Sequence, residues 1–280
     1  MTIYRKPSLS LRVTRHVVLC ATGAFMLLPF IWMLSTSVKS PPEIFRPVSL
    51  WSLFPTQGIA VDNYIGVFTQ TDMVRFLANG LVVCFGILAF QLTTAFPCAY
   101  ALAKLRFVGR ERFFLLTIAT LIIPGQALVI PLYILFYYLG LLNTYLGLIL
   151  PHCISPFGIF LFRQFFRSVP DDYVHAARID GMSELGIVLR VMVPLALPAV
   201  LAFSAFSFSS HWNDLLWPMI IVQSRELATP PLGLVFFKTA DQGVDYGHMM
   251  AAATVIVAPL VLVFFLAQKW FLSGFQIQSR

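Results

Sequence analysis

The sequence predicts an all-α membrane protein built on six transmembrane helices. Three observations carry this prediction. Hydrophobic residues make up 59% of the 280 residues, and the mean hydropathy is +0.83. Only 11% of residues are Asp, Glu, Lys or Arg, against about 25% in a soluble domain. The charges also cluster between long uncharged runs, and a helix needs ~20 apolar residues to cross a hydrocarbon layer of ~30 Å. An ordinary cytosolic enzyme, a disordered regulator and a secreted disulfide scaffold are thereby excluded.

The elements follow in order. Residues 16–38 carry no Asp, Glu, Lys or Arg. The run is longer than the ~7–15-residue core of a signal peptide and has no small-residue cleavage site, so it reads as a retained first span. Residues 76–103 give the second span. Residues 113–162 are 50 residues without a formal charge. One helix of that length would run ~75 Å, so the run must fold back. Gly140-Leu141-Leu142-Asn143-Thr144 is the turn, leaving spans at 113–138 and 144–162. Residues 193–221 and 249–268 complete the six. The domain organisation read from this is a tail, first span and outer loop over 1–71, a transmembrane core over 72–268 with its long loop at 168–194, and a C-terminal tail over 269–280.

Six spans put both termini on one side. Fourteen of the 19 Lys and Arg residues fall on that side, in the N-terminal tail, loops 104–112 and 163–190, and the C-terminus. The other side holds Lys39, Arg46, Arg75, Arg225 and Lys238. The positive-inside rule then places both termini in the cytoplasm. It also explains the net charge of +7 without nucleic acid. Loops 39–75 and 223–248 face outward; Pro41-Pro42 and Asp62-Asn63-Tyr64 suggest that the first is ordered and rich in turns. Cys20, Cys84, Cys98 and Cys153 lie in apolar stretches without a C-x-x-C pair and read as small core residues. His152, His211 and His248 have no metal-ligand spacing and read as lone polar residues, so no metal site is expected. No catalytic motif is present, and no G-x-x-x-x-G-K-[ST] could hold ATP.

The longest cytoplasmic loop carries the punctuation of a short helix. Ser168 is placed to cap it, Pro170 suits the first turn, and Asp171 and Asp172 complement the positive end of the dipole. Gly181 is a natural stop. Tyr173, Ala177 and Gly181 fall on one face at i, i+4 and i+8, a bulky anchor beside small residues. Asp180 opposes the dipole at the C-terminal end and calls for a local role, either on the amides of Met182 or Ser183 or toward a partner. A solvated helical connector remains the alternative. Inside the membrane, Asp214 is the only formal charge in a span, near the outer end of the fifth. With Asn213 it either lines a translocation cavity or caps a break before Pro218. Asn79, Gln91 and Gln126 are softer candidates, as pathway groups or as interhelical hydrogen-bonding residues.

Residues 175–194 resemble the EAA loop of ABC importer permeases, whose pattern is Glu-Ala-Ala, three residues, Gly, nine residues, Ile-x-Leu-Pro. Here His175-Ala176-Ala177, three residues, Gly181 and nine residues lead to Val191-Met192-Val193-Pro194. Leu28 to Leu34 followed by Ser37-Val38-Lys39, Asp62-Asn63-Tyr64, and Trp212-Asn213-Asp214 followed by Leu216-Trp217-Pro218 resemble the carbohydrate-uptake, maltose-type branch. The resemblance implies a non-catalytic permease subunit of the bacterial inner membrane, forming half of a pathway for a sugar or polyol. It implies a second, different permease, a dimer of ATPase subunits that binds ATP and Mg, and a periplasmic or extracellular solute-binding protein. It assigns ATPase coupling to Tyr173, His175, Ala176, Ala177, Asp180 and Gly181. His175 stands where the family usually has Glu. Permeases for glycerol phosphates, peptides or amino acids are the nearer alternative; a self-sufficient secondary transporter or channel is the distant one, since no internal repeat is visible.

Overall fold

A computed structural model describes residues 9–46, 53–239 and 243–277. Arg5, Lys6 and Arg280, which enter the charge argument above, lie outside the described residues. The helices in chain order are α1 Leu9–Ser37, α2 Pro41–Ile44, α3 Asp62–Thr69, α4 Met73–Lys104, α5 Arg110–Ala119, α6 Val129–Tyr138, α7 Tyr145–Ile149, α8 Pro156–Ser168, α9 Asp171–Ile179, α10 Glu184–Ile187, α11 Val193–Leu195, α12 Leu197–Trp212, α13 Leu216–Ile221, α14 Pro230–Val235 and α15 Tyr246–Ile277. Residues 269–277, read above as part of a tail, continue α15. A two-residue antiparallel ladder joins Lys238–Thr239 to Gly243–Val244.

Three of these helices are long and apolar enough to cross a membrane alone: α1, α4 and the Tyr246–Leu266 part of α15. The other three spans are bent pairs, Arg110–Ile122 with Gly125–Tyr138 (88°), Tyr145–His152 with Pro156–Ser168 (46°), and Glu184–Leu195 with Leu197–Trp212 (84°). Six segments result, as the sequence predicts, but the fifth is displaced: Leu197–Trp212 falls within the expected 193–221, and the Glu184–Leu195 arm bent away from it lies mostly in the loop read above as cytoplasmic. Proline accounts for the breaks. Pro124 forces Ile123 into extended backbone at ψ 118, because its ring disfavours α geometry in the preceding residue. Ser155 accepts from the Gly158 amide at 3.0 Å with Pro156 at the start of α8, so a new helix begins there. Pro194 has no N–H to give the preceding turn, and residues Val188–Met192 widen into a π-helix before the bend.

The chain forms two compact units. The first comprises 1–71 and 237–255. Here Asn63, 4% exposed, donates to the carbonyls of Ser37 and Lys39 at 2.9 Å each, and the Tyr64 hydroxyl meets Ser37 Oγ at 2.8 Å. Glu43 accepts from the Thr56 amide and hydroxyl at 2.5 and 2.7 Å, and the backbone bond holds its carboxyl below the usual range. The Asp-Asn-Tyr segment is thus the staple of an ordered loop. Most side chains of α1 before Ser35 are exposed, and they are apolar, as a surface solvated by lipid requires.

The second unit comprises 72–236 and 256–280. Its main core packs α4 against α8, α9, α10 and α12 through Phe96, Tyr100, Phe162, Phe166, Ile187, Met192 and Phe203. The helix α8 does not end at Phe162, where the apolar run ends. It continues to Ser168 because Arg163 is an internal residue, 1% exposed. Its guanidinium holds both Glu111 carboxylate oxygens at 2.9 and 2.8 Å, donates to the Leu102 carbonyl and lies 3.5 Å over the Phe114 ring.

Candidate functional site

The loop between α8 and α10 forms the expected helix with some different parts. Ser168 does not cap it; its hydroxyl donates back to the Phe165 carbonyl at 2.7 Å. Pro170 takes the cap position at φ −56 and ψ 141, and Asp171 and Asp172 occupy the first turn of α9. At the other end Gly181 adopts φ +78. The Met182 amide bonds the Ala177 carbonyl and the Gly181 amide bonds the Arg178 carbonyl, each at 3.0 Å, which is the Schellman closure that needs a left-handed residue. The Met182 amide is therefore spent on the backbone, not on Asp180, whose exposed carboxylate makes no hydrogen bond among the described residues.

The face assignment changes. Ala177 is 5% exposed and sits with Val174 in the core formed by Phe162, Phe166 and Ile187. Its small side chain lets α9 pack on its own protein, so it leaves the face shared by Tyr173 and Gly181. The outward surface of α9 is Asp172, Tyr173, His175, Ala176, Ile179 and Asp180, with Ile179 86% exposed.

Three contacts fix α9 to the helices beneath it. Lys104 Nζ, at the end of α4, donates to the Val169 carbonyl and to Asp171 at 2.5 Å each. Arg178 grips both oxygens of Glu184 at 2.8 and 3.1 Å, and the buried Tyr100 hydroxyl donates to the same carboxylate at 2.5 Å. Arg178, then Tyr100, hold the Glu184 carboxyl below the usual range, and Lys104 does the same for Asp171. Charge-assisted bonds to Lys104 of α4 and a packed face against α8 therefore hold α9 in place. Lys104 and the Tyr100–Glu184 bond escaped the sequence reading, because nothing in the chain pairs positions 65 or more residues apart; only Arg178 and Glu184 are near neighbours in sequence, six residues apart. His175 is exposed, beside a groove of about 380 Å³ lined by Lys104, Arg106, Asp171, Val174 and Arg178.

The intramembrane candidates separate in the structure. Asn79 is 2% exposed and fully committed: its amide nitrogen donates to Glu226 and Ala228 carbonyls at 2.8 and 2.9 Å, and its oxygen accepts from Tyr145 at 2.6 Å. It ties α4 to the segment before α14 and has no group left for a solute. Asn213 donates to the Ser209 carbonyl at 2.8 Å and ends α12. Asp214 caps the break and also lines a cavity. One oxygen accepts from the Leu216 and Trp217 amides at 3.0 and 3.4 Å, starting α13. The other faces His152 Nε2 at 3.9 Å across a cavity of about 320 Å³. His152 and His211 are not lone residues: their rings lie 4.7 Å apart, brought together from positions 59 apart in the chain. Gln91, 4% exposed, organises them. Its nitrogen donates to the His152 carbonyl at 2.9 Å and meets His211 Nε2 at 3.3 Å, while its oxygen accepts from Ser207 at 2.6 Å.

Residues 92–276, well over half the chain, match the family described as "Binding-protein-dependent transport system inner membrane component". The chain belongs to this family. It is an inner-membrane permease component of an ABC importer, and the α8–α10 segment with α9 lies wholly within the matched residues. The arabinooligosaccharide transport system permease of Halalkalibacterium halodurans is 32% identical over 89% of each chain. The diacetylchitobiose uptake permease of Streptomyces coelicolor is 31% identical, covering 91% of this chain and 84% of its own. The sn-glycerol-3-phosphate permease of Brucella abortus is 30% identical, covering 92% and 94%. A solved bacterial ABC transporter involved in importing the acidic polysaccharide alginate shares the fold, with a TM-score of 0.83 at 24% identity over 97% of this chain and 100% of its own.

Proposed function

We propose that this permease forms one half of a carbohydrate pathway driven by ATP hydrolysis on separate ATPase subunits, and that it catalyses no reaction itself. The observation that carries the reading is α9: a short helix with an exposed Tyr173–Ala176–Ile179 surface, joined to α4 by Lys104 directly and by Tyr100 through Glu184 of α10, and packed on α8 through Val174 and Ala177. A partner that grips Tyr173 and Ala176 differently in two nucleotide states would bias the attached spans between two arrangements. ATP and Mg belong to that ATPase pair. The 14-to-5 division of Lys and Arg supports a cytoplasmic α9 and cytoplasmic termini. A second, different permease would complete the pathway, and a solute-binding protein would deliver to the outer side. The sugar reading is supported by relatives named for arabinooligosaccharides, diacetylchitobiose and lactose.

The test is reconstitution of the assembled complex in vesicles. The expected result is ATP hydrolysis stimulated by the solute-binding protein with its sugar, together with uptake. An intact complex whose hydrolysis ignores both would refute the coupling role, and α9 reachable only from outside would refute the orientation.

A further inference from the structure

The cavity beside Asp214 holds more unspent polar groups than a packing defect would. His152 Nε2 is buried and has no hydrogen-bond partner. It lies 3.9 Å from Asp214 Oδ2, too far for a direct bond and close enough for one hydroxyl to bridge both. Gln126 and Ser210 line the same space and make no side-chain hydrogen bond among the described residues. Trp217 closes one wall; its indole N–H is held by the Gly147 carbonyl at 3.0 Å and its ring edge-on by Phe136. The backing is rigid, because Gln91 fixes the His152 backbone and the His211 ring from inside. Since the Gln91 nitrogen is a donor only, His211 Nε2 must accept from it, which leaves the other ring nitrogen carrying the proton. Among the described residues no three His, Cys, Asp or Glu side chains are arranged to hold a metal ion.

The charge of the lining is as informative as its shape. It contains one carboxylate, Asp214, and no Lys or Arg. A phosphate ester or a uronate entering this space would meet a like charge with no Lys or Arg in the lining to offset it. A hydroxyl-rich neutral solute meets acceptors and donors in alternation beside an aromatic wall. At about 320 Å³ the cavity is at the small end of ligand sites, ~300–1,000 Å³, which suits a single sugar ring rather than a chain.

We propose that the cavity lined by Gln126, His152, Ser210, His211, Asp214 and Trp217 receives one ring of a neutral saccharide during translocation, that a sugar hydroxyl bridges His152 and Asp214, and that Asp214 discriminates against anionic solutes. This rests on the permease reading above and sharpens it, because the relatives named for lactose and for sn-glycerol-3-phosphate leave the charge of the cargo open.

The experiment uses the whole transporter in its own cells. A deletion of this gene is complemented with wild type or variants, and uptake is followed for labelled neutral di- and trisaccharides, for sn-glycerol-3-phosphate and for a uronate oligosaccharide. Deletion abolishes uptake of a neutral saccharide and leaves both anionic probes untouched. His152→Ala lowers that uptake at least tenfold while the chain still copurifies with its ATPase subunit, and His152→Gln, which keeps a hydrogen-bonding group, retains more of it. Asp214→Asn keeps an oxygen for the Leu216 amide and narrows the neutral-over-anionic preference about tenfold, the size of one like-charge contact at ~4 Å in a wet site of dielectric ~60. Ser210→Ala and Gln126→Ala remove side chains that make no hydrogen bond among the described residues, so their rise in KM, threefold or more, reflects no lost intramolecular bond there. Loss of only an anionic solute on deletion, or His152, Asp214, Ser210 and Gln126 variants that transport like wild type, overturns the proposal and leaves the permease reading standing. A deletion that spares every solute, with a chain that copurifies with no ATPase subunit, overturns the permease reading as well.

Discussion

The turn after α9 gives the sharpest test of the proposed ATPase contact. Gly181 sits at φ +78, and a Cβ built on it meets nothing within 4 Å. Two costs of substitution are therefore separable. An ordinary L-residue held in left-handed geometry costs about 1–2 kcal/mol, a factor of about 5–30 in the population of the closed turn. Ala and Leu share that cost, and Asn, which tolerates the geometry, escapes most of it. Contact of the added Cβ with the described residues adds nothing for either, and the surface position leaves the longer Leu side chain free to turn outward. Whatever separates Gly181→Leu from Gly181→Ala in the complex measures the partner. In the isolated permease, exchange of the Met182 amide, bonded to the Ala177 carbonyl at 3.0 Å, should speed up by that factor of about 5–30 in both variants and change little in Gly181→Asn. In the complex, Gly181→Leu should add a clash of about 2 kcal/mol and lose ATPase retention or coupled uptake about thirtyfold beyond Gly181→Ala. If Ala and Asn exchanged alike, the backbone argument would fail. Equal retention by Leu and Ala would mean that no partner approaches this turn.

Three further outcomes are expected. His175→Ala should change ATPase retention less than twofold, whereas Tyr173→Ala, which removes an exposed aromatic anchor, should weaken it tenfold or more; pull-down of the ATPase subunit gives the ranking, and the reverse order would assign docking to a polar His175 contact. The Glu184 carboxyl is depressed by Arg178 and then by Tyr100, so its stabilising contribution is complete above the unfolded value near ~4.3 and disappears as pH falls through the folded value; melting of the purified permease should be insensitive to this group between pH 6 and 8 and decline below about pH 4, with a shallower decline in Glu184→Gln. Asn79→Ala strands the Tyr145 hydroxyl and two carbonyls at a buried position and should lower stability by about 2–4 kcal/mol, visible as reduced melting temperature and yield; a stable variant with altered solute preference would restore Asn79 to the pathway.

The sequence by itself determined the class, the number of spans and the place of the loop that folds into α9. Charge scarcity and run length decide these, because a bilayer admits only helices and closed barrels and sets their length. Local capping chemistry was legible in part, although Ser168 gave up the cap position to Pro170. Gly181 at φ +78 and the first-turn Asp171 and Asp172 stand where the residue types place them, since a cap depends on neighbours within a few residues. Tertiary structure decided everything that depends on residues distant in the chain. Helical spacing put Ala177 on a face with Tyr173 and Gly181, yet the core beneath α9 took Ala177 for itself. The three bent spans were invisible to a count of apolar residues, because hydropathy does not register direction. Arg163 reads in sequence as the end of a span, and only its partner Glu111 from another helix makes it an interior residue. The pairing of His152 with His211, backed by Gln91 and faced by Asp214, assembles four segments around one cavity. No local signal encodes such a site, since its chemistry exists only once helices far apart in sequence have packed side by side.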